Sequence, residues 1–308
     1  MSVDLRVAAT DYLAERRARG YRLCDHDWLI TAFLDRLDAR GITRINVADV
    51  LAFAQERPGT QLCWQATRLR VIQGLAAYIH LLDPSAAEVI PSGLIKAKTT
   101  RRIPYLYSDE QITQLMSKAA SLSPPLLAAG IHTLIGLIAV TGLRSGEANA
   151  LDVEDVCLSE QVMNVTGKYQ KRRLVPLHAT TVHALADYLE VRANRAAPAG
   201  PLFIGATGAR LNLNKTRALF RFIVNDCGLQ SRPGCGTPRL HDLRHTFAVN
   251  TLVDAHRRGD DIDARLAALV NYLGHVDPSS TYWYLTASAE LMGIVSERIA
   301  TYYERSRP

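Results

Sequence analysis

Residues 126–140, LLAAGIHTLIGLIAV, hold only two polar side chains, His132 and Thr133. A helix of that composition has no face to offer to water, so other elements must cover it on nearly every side. Spanning a bilayer takes about 20 apolar residues, and this run is too short. The segment therefore predicts a buried helix at the centre of a folded domain in the second half of the chain. With 308 residues there is room for a further core before it.

That first part reads as four helices, Asp4 to Gly20, His26 to Arg40, Val47 to Arg57 and Gln61 to Leu82. Apolar residues recur three and four apart, as at Leu69, Ile72, Leu75, Ala76 and Ile79, and Gly41, Pro58-Gly59 and Asp83-Pro84 punctuate the pattern. From Ser108 the segment SDEQITQLM opens a new helix, with a serine N-cap and two acids in its first turn. Past Leu151 come two β-like runs, QVMNVTG and RRLVPLH, on either side of the polar KYQK, which predicts a hairpin. Helices resume near Ala179 and continue to the end. The expected fold is mainly α with a small β-sheet, an α+β chain with a helical domain over 1–90, a linker over 91–107 and a second domain over 108–308.

Charge is unevenly placed. The net charge is +6, yet residues 1–90 carry 11 positive and 11 negative side chains, whereas residues 91–104 carry Lys96, Lys98, Arg101 and Arg102 with no acid. Such a run is either a solvated loop or a contact to a polyanion. The five cysteines are scattered without a CxxC pair, which argues against a disulfide framework or a zinc site and suits a reducing compartment. Cys227, Cys235 and His241 match no usual ligand spacing. GxGxxG and GxxxxGK are both missing, as is a paired Asp/Glu cluster, so a P-loop enzyme or a two-metal nuclease is not expected. The start, MSVDLRVAAT, lacks a basic region followed by an apolar run, so a soluble cytoplasmic protein with no membrane partner is expected.

Four segments stand out: TGLRSGEANAL (141–151), VTGKYQKRRLVPL (165–177), HDLRHTFA (241–248) and LGHVDPSSTYWYL (273–285). In this order they resemble the tyrosine recombinase, or phage integrase, family. The first box appears as Thr141-Gly142-Leu143-Arg144 with Glu147 three residues on, the hairpin as Gly167-Lys168 followed by Arg173-Leu174-Val175-Pro176-Leu177, the second box as His241-x-Leu243-Arg244-His245, and the last as Leu273-Gly274-His275 with a tyrosine nine residues later, at Tyr284. The likeness covers about residues 105–295 and, more loosely, the first domain, which is similar to the SAM-like helical core-binding domain of the family. Gly146 and Asn149 stand where Ser and Leu are frequent, which leaves the arginine assignment intact.

Physical chemistry explains these residue types. Cleaving a phosphodiester builds negative charge on a phosphorane-like transition state, and forked, permanently charged guanidiniums stabilise it. The resemblance assigns Arg144 and Arg244 to that clamp and Tyr284 to nucleophilic attack, a phenol with an ordinary pKa near 10 that needs a base or nearby cations. A lysine with its pKa lowered by neighbouring cations can protonate the leaving 5′ oxygen, a role given to Lys168, with Lys171 as its competitor. His241 is expected as base or proton relay, His275 as a ligand of the phosphate or an orienting group, and Glu147 as the partner that orients a histidine or arginine. Tyr282 lies about 200° from Tyr284 around a helix, so only one can face the phosphate, and the spacing from His275 selects Tyr284. His245 and Trp283 are read as structural. No metal or other cofactor is expected, since the cations do what Mg²⁺ would do.

Double-stranded DNA is the expected partner. Gln65, Thr67, Arg68 and Arg70, at the start of the fourth helix, are candidates for groove or phosphate contacts, with Lys96, Lys98, Arg101 and Arg102 of the linker on the backbone. The tail TASAELMGIVSERIATYYERSRP carries an apolar stripe, Leu291, Ile294, Ile299 and Tyr302, which the resemblance places on a neighbouring protomer in a DNA-bound tetramer or back on its own domain. The activity implied is site-specific recombination through a 3′-phosphotyrosine and a Holliday junction, in a nucleoid-associated bacterial enzyme of the kind carried by mobile elements. The alternatives are a type IB topoisomerase-like relaxase and a catalytically silent DNA-binding factor.

Overall fold

The structure, a computed structural model, describes residues 3–21, 23, 25–56, 59–97, 103–167, 171–232, 235–274, 293 and 296. The chain divides into two compact units, residues 1–101 and 102–308. No helix among the described residues is long and apolar enough to cross a membrane.

The first unit is built from α1 (Leu5–Ala18), α2 (His26–Asp38), α3 (Val47–Gln55) and α4 (Leu62–Leu82), each within three residues of its predicted ends. Asp4 and Asn46 cap α1 and α3 by accepting from backbone N–H groups of the first turn. Leu29, Phe33, Leu37, Val50, Ile72 and Leu75 are wholly buried, and Phe33 meets Phe53 edge to face at 5.2 Å. Between α2 and α3, Ile45 bridges to Ala87 and closes the bundle.

In the second unit α5 (Asp109–Ala120) starts on a complete capping box, with Ser108 and Gln111 each satisfying the other's backbone N–H. It packs on α6 (Pro125–Thr141), where Ile131, Leu134, Ile135, Leu137 and Ile138 are buried. The predicted all-round burial is incomplete, with Leu127, Ala129 and Ala139 half-buried and Val140 54% exposed. His132 keeps a polar partner through a 3.0 Å contact between its Nδ1 and the Met116 carbonyl. After α7 (Ser145–Ala150) comes an antiparallel sheet in the order β1-β2-β3, from β1 (Val156–Cys157), β2 (Val162–Thr166) and β3 (Arg172–Pro176). The hairpin is as predicted; β1, two residues long, is too short to show an alternation. Then follow α8 (Ala179–Ala193), α9 (Leu213–Asp226), α10 (Asp242–Arg257) and α11 (Ile262–Leu273).

Part of the segment read as linker belongs to the core of this unit. Tyr105 and Tyr107 are 2% and 3% exposed, Tyr107 N–H donates to Thr246 Oγ1, and its hydroxyl donates to the Arg239 carbonyl. The two aromatic rings bury enough area to draw the chain onto α9 and α10.

Candidate active site

Three of the four motifs converge in the second unit through the ends of helices. Gly142 caps α6 in the left-handed region at φ +62°, where a Cβ would lie 2.4 Å from Phe247 Cδ1. Gly274 caps α11 in the same way at φ +64°. These two ends hand their carbonyls to arginines. Arg244, 1% exposed on α10, donates from Nη1 to the Gly142 carbonyl at 2.7 Å and from Nη2 to the Leu273 carbonyl at 2.8 Å. The negative ends of two helix dipoles thus meet a buried cation, which explains how it can be buried.

Arg144, at the N-cap of α7, donates from Nη2 to the Gly274 carbonyl at 3.0 Å and from Nη1 to Glu147 Oε1 at 2.6 Å, while its backbone N–H donates to Glu147 Oε2 at 3.0 Å. Glu147 is nearly buried and is shared. Arg173 of β3 donates to its Oε2 at 2.8 Å and Oε1 at 3.3 Å, and Arg244 Nη1 lies 3.9 Å from Oε2. Burial alone would raise the carboxyl pKa, but Arg173 and Arg144 outweigh it and hold the group at about 2. Among the described residues, this one carboxylate is shared by three guanidiniums.

His241 forms the N-cap of α10, with its ring edge-on to His245 at 4.9 Å between centroids. Burial first, then the charges of Arg244, Arg239, Arg144 and Arg217, push its pKa down to about 4. The imidazole is therefore neutral at pH 7 and able to accept a proton. Asp242 fixes this end of the helix by accepting from the backbone N–H and guanidinium of Arg239 at 2.9 and 2.8 Å. Beside it opens a cleft of about 270 Å³ lined by His241, Arg239 and the exposed Arg217 and Arg221 of α9.

A match to the model of the phage integrase family runs over residues 106–290, well over half of the chain, and takes in all four motifs. The chain belongs to the phage integrase family. Tyrosine recombinase activity, the breaking and rejoining of DNA strands, comes with that membership. The chain is 36% identical to the integrase/recombinase y4rB of Sinorhizobium fredii over 97% of its own length and 98% of the relative's. It is 27% identical to the tyrosine recombinase XerC of Nitrobacter winogradskyi over 89% of this chain and 81% of that one. Among solved structures, the Tn1549 transposon integrase in complex with transposon right end DNA superposes with a TM-score of 0.63 at 17% identity, over 95% of this chain and 99% of that one. The integrase fold is thus shared well beyond recognisable sequence likeness.

The structure brings together Arg144, Glu147, His241 and Arg244. Lys168, His275 and Tyr284 lie outside the described residues, as do Lys98, Arg101, Arg102, Tyr282 and Trp283. In the first unit Arg70 and Lys96 are exposed, Gln65 is half-buried and donates to the Thr60 carbonyl at 3.2 Å, and Thr67 Oγ1 donates to the Cys63 carbonyl at 2.9 Å. Arg68 corrects the reading of α4. It is 3% exposed, pairs with Glu56 at 3.1 Å and stacks over Phe53 at 4.0 Å, so it braces the bundle rather than presenting a cation on the surface of α4. Arg173 belongs to the hairpin motif but carries no role by resemblance. Its signal is that it alternates with the buried Val175 on the inward face of β3, where a cation requires an acid.

Proposed function

We propose that the chain is a site-specific DNA recombinase in which Arg144 and Arg244 hold the scissile phosphate of duplex DNA for attack by Tyr284. The observation that carries this is the arginine cluster: Arg144 and Arg244 converge on the neighbouring helix ends at Gly142, Leu273 and Gly274, beside a neutral histidine. Guanidiniums so placed stabilise the negative charge that builds on a phosphate in transit to a phosphorane.

The step balances as a transesterification. The Tyr284 phenol gives its proton to His241, its oxygen attacks phosphorus, the bond from phosphorus to the 5′ oxygen breaks, and that oxygen takes a proton from Lys168. A 3′-phosphotyrosine and a free 5′-hydroxyl result. Attack by a 5′-hydroxyl from a second duplex reverses the sequence and yields a Holliday junction. His275 orients the phosphate. The helical unit, through Gln65, Thr67 and Arg70, and the basic segment, through Lys96, Lys98, Arg101 and Arg102, hold the duplex, with Arg217 and Arg221 tracking its backbone from α9. We take the working assembly to be a tetramer on two DNA sites, with the C-terminal segment passed to a neighbouring protomer, in the cytoplasm of a bacterium and in the service of a mobile element.

The test is a nicked suicide duplex drawn from a random library by selection on the wild-type protein, resolved on a denaturing gel. A DNA-linked species with the wild type and none with Tyr284→Phe is expected. An adduct that survives Tyr284→Phe would move the nucleophile to Tyr282, and none with any DNA would remove the activity.

A further inference from the structure

We propose that Arg173 is a positioning residue for strand cleavage, tying β3 and the turn at Gly274 to the Glu147 carboxylate that orients Arg144. The proposal rests on the recombinase reading above and adds a residue that the resemblance gives no part.

The geometry closes a ring. Arg173 presents both Nη groups to Glu147, at 2.8 and 3.3 Å, as a fork on a carboxylate. Glu147 accepts in turn from the Arg144 side chain and backbone, and Arg144 donates to the Gly274 carbonyl. Gly274 returns to the start: a Cβ placed there would sit 3.2 Å from Arg173 Nη1. A Cβ on Gly167 would likewise meet Arg173 Nη1 and Glu147 Oε1, each at 3.5 Å. One guanidinium therefore lies beside the residue before Lys168 and the residue before His275 while it binds the carboxylate that fixes Arg144.

Arg173 does not itself offer a free fork to a phosphate. Its side chain is 17% exposed and both Nη groups are engaged with Glu147, so it acts through that carboxylate. Strand pairing fixes its own place, with Arg173 opposite the fully buried Val165. Lysine at 173 keeps the charge but only a point contact, and methionine keeps the bulk without charge. Among the described residues, the charged groups facing Glu147 are Arg144 from the start of α7, Arg173 from β3 and Arg244 from α10. With Arg173 gone, the carboxylate takes up a proton more readily, so cleavage fails at a higher pH than in the wild type.

The experiment measures the single-turnover rate of covalent adduct formation, against pH, on the selected nicked duplex, together with the Kd for that duplex. We expect Arg173→Met to slow adduct formation about 100-fold, the scale of a catalytic group displaced by an ångström, with Kd unchanged. Its acid limb should move to higher pH, and Arg173→Lys should fall between it and the wild type. In a Glu147→Gln background, Arg173→Lys should cost little more, because the two residues act as one unit. Should Arg173→Met not fold, the Lys variant and the double mutant decide alone. A wild-type rate and pH profile in Arg173→Lys, or a fully additive loss in the Glu147→Gln background, overturns the proposal. Failure of the recombinase reading looks different: the wild type then forms no adduct while still binding the duplex.

Discussion

His241 and Glu147 sit within one arginine-rich site, and the same surroundings lower the proton affinity of both below its ordinary value. Glu147 stays ionised because cations reach both of its oxygens, and His241 stays neutral because burial and four arginines oppose its charge. For His241 the sign is definite. Its folded pKa, about 4, lies below the ordinary histidine value. As pH falls between about 6.5 and the folded value, the unfolded chain takes up a proton that the folded chain refuses, and stability falls through that window. Above it the group contributes nothing. In the DNA-free protein, the ring nitrogen shifts of His241 should report a neutral imidazole at pH 6, with a midpoint that rises when the nicked duplex is bound, since a phosphate offsets the arginine charges. A midpoint near the ordinary value without DNA would contradict the burial and charge argument.

At the scale of elements, the site is assembled by helix ends rather than helix faces, and this decides what could be read from the sequence. Arg144, Arg244, His241 and Glu147 were legible because they recur at fixed places in short motifs. The carbonyls of Gly142, Leu273 and Gly274 were not, because a backbone acceptor leaves no mark in residue type. Ser108 and the two acids after it announced the start of α5, whereas Arg68 looked like a groove-facing cation until Glu56 and Phe53, from the neighbouring part of the bundle, enclosed it. Tyr105 and Tyr107 sat in a stretch read as linker, and only contacts more than a hundred residues away show them to be core. The helix-end assembly makes Gly142 sensitive. Alanine there must hold φ near +62° and place a Cβ against the Phe247 ring. Gly142→Ala is expected to lose about 1–3 kcal/mol in urea denaturation, more than the strain of a left-handed alanine alone, and to slow adduct formation by shifting the carbonyl under Arg244. An unchanged denaturation midpoint would mean that Phe247 yields freely.

For the molecule as a whole, the distribution of charge matters more than its sum. The helical bundle over residues 1–90 is neutral in balance and 91–104 carries four cations without an acid, so most of the excess of +6 is confined to fourteen residues at the junction of the two units. Counterion release follows each phosphate contact rather than net charge, so Arg70 can add to the salt-dependent part of DNA affinity, but the run of cations without an acid is the one at 91–104. Each phosphate neutralised by a lysine or arginine releases counterions and steepens the fall of log Kobs with log salt by about 0.9. Replacing Lys96, Lys98, Arg101 and Arg102 together with glutamine is therefore expected to flatten that slope by about 3–4 on a random-sequence duplex, read by fluorescence anisotropy over a range of KCl concentrations. Arg144 and Arg244 remain in that variant, so adduct formation at saturating protein should persist. A slope that does not change places the four cations in solvent, and the hold on the duplex then falls to Arg217, Arg221 and the face of α4.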